Sequence, residues 1–204
     1  ENASEGLSVM AHKDQRDSIL LNLEDPDHLS LLNGKVKFAS GLLPGVENDG
    51  MTANSWVRAE PRLASYDDSD WQDSDNLRRV VGTGLTCAWY RFTITLPLKL
   101  KELDVEGAQI WFSTCIDDYG EIWVDYPDDP AYKPAQGIAD NKLSPVLGYN
   151  TENRILISAS AIPRRTHVIA CLAINGPFAQ PLGGVFLRYA RLEISQGFAK
   201  IPIS

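Results

Sequence analysis

An all-β fold is what this sequence predicts: a two-sheet antiparallel β-sandwich behind a short N-terminal extension. Three observations carry that reading. Short runs rich in Val, Ile, Thr and aromatic residues recur along the chain, Pro, Gly, Asn and Asp stand between them, and no 3.6-residue periodicity lasts long enough for a major helix. The 204 residues are 44% hydrophobic and 23% charged, enough apolar surface for one buried core. No internal repeat or linker divides the chain, so residues 35–204 are expected to form one sandwich domain and residues 1–34 a partly flexible extension.

The elements follow in order. Residues up to about Asp17 are polar and read as a leader. Ser18–Leu23 is apolar, and Asp27 after Asp25-Pro26 is placed to cap a short helical turn reaching Leu32. Lys35–Ala39 alternates polar and apolar side chains and is the first clear strand, followed by a loop with the turn signals Pro44-Gly45 and Asp49-Gly50. Further strands are expected over Ser55–Glu60, Thr86–Leu96, Gln109–Ile116, Glu121–Asp125, Arg154–Ser158, His167–Asn175 and Val185–Ser195. The acidic turn Asp117-Asp118-Tyr119-Gly120 joins the two middle runs, Ile110–Ile116 and Glu121–Asp125, as a hairpin.

A strand alternates its side chains between two faces, which assigns the core. In the longest strand Ala88, Tyr90, Phe92, Ile94 and Leu96 share the core face, while Cys87, Trp89, Arg91, Thr93 and Thr95 share the other. Ile110, Phe112 and Ile116 point inward in the next strand, and Phe186, Ala190, Leu192 and Ile194 in the last. Arg188 falls among this last set. A guanidinium in a core requires a partner, because an isolated buried charge costs several kcal/mol, and Asp117 and Asp118 are the nearest candidates. Trp89, Trp111, Trp123 and Tyr189 fall on the non-core parity, where they stack on a ligand or lie beneath the apolar Leu20–Leu32 segment. Trp71, in an Asp-Ser-Asp-Trp turn, reads as an anchor that packs its own loop.

Several motifs occur in a fixed order: Tyr66-Asp67-Asp68-Ser69-Asp70-Trp71, Trp89-Tyr90-Arg91-Phe92 leading to Leu96-Pro97, the Asp117–Asp125 segment, Gly148-Tyr149-Asn150 with Asn153-Arg154, and Ile174-Asn175-Gly176-Pro177. With this order and spacing, from Trp56 to Ile194, the chain resembles the galactose-binding-like jelly-roll domains that precede the catalytic barrel in many glycoside hydrolases. It is similar also to the accessory domain fused to some gluconolactonase-like propellers. The resemblance implies a jelly roll that binds carbohydrate. One departure is Asp125-Tyr126-Pro127-Asp128-Asp129-Pro130, where the family usually has Asn-Gly or Asp-Gly, and it alters one rim of the implied site.

The formal net charge of -8 argues against nucleic acid and anionic membranes as partners. No apolar run approaches the ~18 residues of a membrane span. The sequon Asn2-Ala3-Ser4 favours secretion slightly. Three cysteines, Cys87, Cys115 and Cys171, lie in strand-like runs and read as small buried hydrophobes, with a Cys115–Cys171 bridge as an alternative if those strands pair. The acidic run Asp67–Asp75 fails the EF-hand pattern, since position twelve falls on Arg78 or Arg79, but it could supply a structural calcium site of sandwich type. No other cofactor is expected. The three His residues lack zinc-ligand spacing, and no Gly-x-Ser-x-Gly, phosphate loop or Cys-x-x-Cys is present.

The leading function is therefore a carbohydrate-binding module, with Trp89 or Trp123 stacking on the sugar. Arg91, Asp118, Tyr119, Asn175 and Arg188 are the expected polar contacts. The rival is a stand-alone enzyme on the same fold, a cyclase, isomerase or hetero-Diels–Alderase-like pericyclase. Such an enzyme would act on a small apolar metabolite by positioning and hydrogen bonding alone. A third reading makes the non-core face a contact between copies of the chain in a homo-oligomer.

Overall fold

The computed structural model describes residues 18–42, 60–117, 119–128, 143–144, 151–176 and 183–196. Two large antiparallel sheets pack face to face, as the alternating strands require. β1 (Ser18–Asn22), β12 (Phe186–Ser195), β7 (Gln109–Asp117) and β10 (Asn153–Ser158) form a four-stranded sheet in that order. The six-stranded sheet runs β3 (Gln72–Asp73), β2 (Lys35–Ser40), β4 (Thr86–Thr95), β11 (Thr166–Asn175), β8 (Tyr119–Val124) and β9 (Leu143–Ser144). A small ribbon, β5 (Lys99–Leu100) with β6 (Leu103–Asp104), closes one end. Among the described residues, no helix is long and apolar enough to cross a membrane.

The core sits where the period of two places it. Tyr90, Phe92 and Ile94 of β4 and Ile169 and Cys171 of β11 face Ile110, Phe112 and Leu192 of the opposite sheet, all but fully buried. The Phe92 and Phe112 rings meet across the sandwich with centroids 5.5 Å apart. β4 and β11 register continuously from Thr86↔Asn175 to Thr95↔Thr166, and this pair is the spine of the larger sheet.

Four local readings change. The run Ser18–Leu23 belongs to the sandwich: β1 pairs along β12 from Ser18↔Ser195 to Asn22↔Arg191, and Leu21, Leu23 and Leu32 enter the main core. The cap of the short helix α1 (Pro26–Leu31) is Asp25, whose carboxylate accepts the Asp27 and His28 amides, because Pro26 already occupies the first turn. β7 and β8 are not a hairpin. They lie in different sheets, so the chain between Asp117 and Tyr119 crosses from one sheet to the other. Finally, β12 carries a register shift between Leu187 and Ala190, which turns Phe186 and Arg188 off the core face and buries Leu187 instead. Cys115 and Cys171 fall in opposite sheets, and all three cysteines remain thiols. The strand expected over Ser55–Glu60 lies outside the described residues except for Glu60, which opens a 3-10 turn through Arg62.

The sheet-to-sheet crossover fixes one glycine. A Cβ on Gly120 would lie 2.6 Å from the Leu172 carbonyl oxygen and press into the Ile116 side chain. The carbonyl is held in the β11–β8 ladder and cannot retreat. Gly120→Ala is expected to lower the unfolding free energy by about 2 kcal/mol, read from urea midpoints.

At the far end of β8, Asp125 adopts φ 48° and turns its carboxylate onto β11. It accepts the Val168 amide at 2.9 Å and meets His167 Nδ1 at 2.7 Å. Burial works to raise the Asp125 carboxyl, but the His167 and Val168 hydrogen bonds outweigh it and hold it below the ordinary aspartate value. A carboxyl lowered in the folded state adds stability above its unfolded pKa of about 3.9, and that stability is lost as pH falls from there through the lowered value. Asp125→Asn should therefore be less stable than the parent at neutral pH, with the gap closing as pH falls below about 4, as measured by urea unfolding at a series of pH values.

Candidate functional site

The residues that the sequence groups into one site separate onto three parts of the molecule. Trp89 and Trp123 are neighbours on the outer face of the six-stranded sheet, ring centroids 5.6 Å apart. They are 0% and 7% exposed, beneath Leu42, Trp71, Tyr66 and Tyr126 rather than Leu20–Leu32. Trp89 Nε1 donates to the Leu42 carbonyl at 2.9 Å. This is a second, smaller core. Trp71 anchors its loop there, as its turn context suggests.

Arg91 lies on the same face at 2% exposure and holds the covering segment in place. Its Nε donates to Asp68 at 2.8 Å, Nη1 donates to the carbonyls of Pro61 and Leu63, and Nη2 donates to that of Tyr66 at 3.3 Å. The guanidinium also lies 5.5 Å from the Tyr66 ring centroid. These contacts convert a non-core arginine into the clamp of residues 60–71.

Arg188 is on the outer face of the other sheet. Its Nη2 donates to Asp117 at 3.1 Å, which matches one of the two partners expected for it, and its guanidinium stacks over Phe186 at 5.1 Å. Nearby, Tyr189 donates to Glu152 at 2.7 Å, and Arg154 sits 4.2 Å above Trp111 while pairing with Glu193. Asn175 is buried at the end of β11, where its amide donates to the Gly84 and Gly183 carbonyls, stitching two loops together. Asp118, Trp56, Gly148-Tyr149-Asn150 and the side chain of Tyr119 lie outside the described residues.

A different place gathers chemistry that points at a ligand. Beside the short edge strand β3 and its neighbour β2 lies a cleft of about 230 Å³, lined by Phe38, Gln72, Asp75, Asn76, Arg79 and Tyr90 among others. The segment after β3 forms its far wall, because Val81 pairs with Val185 and the Leu187 amide donates to the Leu77 carbonyl, tying that segment to β12. Tyr90 is 1% exposed, and its hydroxyl meets no hydrogen-bond partner among the described residues. Burial keeps this phenol protonated well above its usual range. Its ring packs on Phe38, centroids 5.2 Å apart. The cleft thus offers an apolar wall at Phe38, the buried Tyr90 among its lining residues, and amide, carboxylate and guanidinium groups beside them.

Solved structures place the fold. The chain matches Bacteroides uniformis beta-glucuronidase with a TM-score of 0.53 and 16% identity, over 88% of this chain and 18% of that one. A calcium-binding mutant of Bacteroides uniformis beta-glucuronidase 2 gives 0.51 at the same identity and coverage. A glycosyl hydrolase family 2 member from Bacteroides cellulosilyticus gives 0.46, with 19% identity over 79% of this chain and 20% of that one. The all-β sandwich fold is shared with part of the two Bacteroides uniformis chains. No protein-family model matches the chain, and no curated protein does either. The chain spans about a fifth of the length of the solved chains it matches.

No three His, Cys, Asp or Glu side chains converge as a metal-ligand set among the described residues. Within the acidic run, Asp67 accepts the Ser69 amide, Asp68 holds Arg91, and Asp73 pairs with Lys37 at 3.0 Å. Removing Arg91 would leave Asp68 and three carbonyls without their donor. Arg91→Met is expected to cost about 3–5 kcal/mol of stability and to expose residues 60–71 to limited proteolysis; an unchanged cleavage pattern would contradict the clamp.

Proposed function

We propose that this chain is a carbohydrate-binding accessory domain whose ligand occupies the cleft over Tyr90. The single observation that carries the reading is the Tyr90 hydroxyl. A buried hydroxyl without a partner costs about 1–3 kcal/mol, and phenylalanine at this position would avoid that penalty while keeping the ring. Its retention makes sense when a ligand hydroxyl completes the bond. The Phe38 ring supplies the apolar surface that a sugar's C–H face packs against, and Gln72, Asn76 and Asp75 supply acceptors and donors for a ring of hydroxyls. The fold it shares with glycoside hydrolases supports the same ligand class.

The enzymatic alternative, cyclisation or cycloaddition of an apolar metabolite, asks for an enclosed apolar cavity. The cleft over Tyr90 and the two depressions beside it are open and edged by carboxylates and amides, which favours a hydroxyl-rich ligand there.

The test is titration calorimetry against a panel of mono- and oligosaccharides. Phe38→Ala should weaken the best ligand about tenfold, the scale of one lost stacking contact. Tyr90→Phe should weaken it about fivefold and yet leave the unfolding midpoint equal or higher, because it removes an unsatisfied group. Tyr90→Phe that destabilises the fold without touching affinity would sink the proposal.

A further inference from the structure

The cleft over Tyr90 does not end at Phe38. A second depression of about 260 Å³ shares Phe38, Ser40 and Gln72 with it and continues to Trp71 and Tyr66. A third, larger and more open, shares Tyr66 and Asp70 with the second and extends to Glu60 and Asp128. The first two are each somewhat smaller than the roughly 300 Å³ at the lower end of ligand pockets, a size for one sugar ring apiece. The three form a single groove along the edge of the six-stranded sheet, with aromatic walls at Phe38 and Tyr66.

The groove is strongly one-signed. Its lining holds the carboxyl groups of Glu60, Asp67, Asp70, Asp73, Asp75 and Asp128 against the guanidinium of Arg79. Asp73 is compensated by Lys37, but Asp70 and Asp75 are exposed and make no ion pair among the described residues. Clustered like charges in a cleft raise the local concentration of opposite charge and repel like charge. Acidity alone would only describe a solvated loop. Here it borders a cleft lined by Tyr90, whose buried hydroxyl lacks a partner among the described residues, and this second feature points to a ligand.

Resting on the carbohydrate reading above, we infer that the groove takes an extended glycan chain carrying protonated amino groups, and rejects uronic-acid chains. The ring over Phe38 hydrogen-bonds Tyr90, and amino groups on following rings face Asp75 and Asp70.

The experiment compares three series of graded length by titration calorimetry: glucosamine oligomers, their N-acetylated counterparts and glucuronate-containing oligomers. The amino series is expected to bind about tenfold tighter than the acetylated one, to gain affinity up to about three rings, and to weaken as ionic strength rises from about 0.01 M to about 1 M. The glucuronate series should bind weakest. The exposed variant Asp70→Asn should reduce the preference for amine over acetamide while the acetylated series still binds. Equal affinity for amino and acetylated oligomers, tighter uronate binding, or indifference to length overturns this inference and leaves the carbohydrate reading standing. Binding by none of the oligosaccharides, in this set or in the wider panel, overturns both.

Discussion

The Arg91 clamp is the interaction on which the arrangement of this molecule turns. A β-sandwich needs only one core, and this chain builds two. The outer face of the six-stranded sheet carries Trp89, Trp123, Leu172 and Ile174, which would form a large apolar patch if left open. Burying it requires residues 60–71, a segment that lies in no strand. The guanidinium of Arg91 fixes that segment, donating to Asp68 and to the carbonyls of Pro61, Leu63 and Tyr66. A fork of rigid donors can do this where a lysine cannot. With the loop fixed, Trp71 and Tyr66 reach their places, and they form one wall of the groove.

This explains why the strands were legible in the sequence and the site was not. β4 and β11 obey the period of two over their whole length, so the core face read from Ala88, Tyr90, Phe92 and Ile94 is the face found. Parity also separates Trp89 and Arg91 from the core correctly. What parity does not contain is the identity of the cover. Leu20–Leu32 and residues 60–71 both carry apolar side chains, and only the pairing of β1 with β12 assigns the first segment to the other sheet. Nor does local pattern distinguish a hairpin from a crossover. The run from Asp117 to Gly120 has turn chemistry in either case, and the tight contact of Gly120 with Leu172 belongs to the crossover.

Arg188 and Tyr90 show the same rule applied unevenly. A charged group on a core parity attracts attention at once, and Arg188 proves to be displaced by the shift between Leu187 and Ala190 onto Asp117. Tyr90 sits on a core parity too, but its ring satisfies the hydrophobic pattern and hides the hydroxyl. The question put to the guanidinium, where its hydrogen bonds go, applies equally to a phenol. Asked of Tyr90, it leads to the end of the sheet beside β2, where Phe38 faces it across the ladder.

The location of the groove follows from a constraint on sheets rather than from the ligand. The edge of the six-stranded sheet at β2 would present unpaired backbone groups and invite pairing with another chain. Here it is blunted by β3, a strand of only two residues, Gln72 and Asp73, set in an acidic run. Carboxylates at such an edge keep other strands away by charge and by shape. Because β3 is so short, it cannot continue the inner face of the sandwich, and the space beyond it becomes the cleft over Tyr90. The residues that protect the edge are therefore the ones that give the groove its sign, so replacing them with neutral residues would alter ligand choice and self-association together.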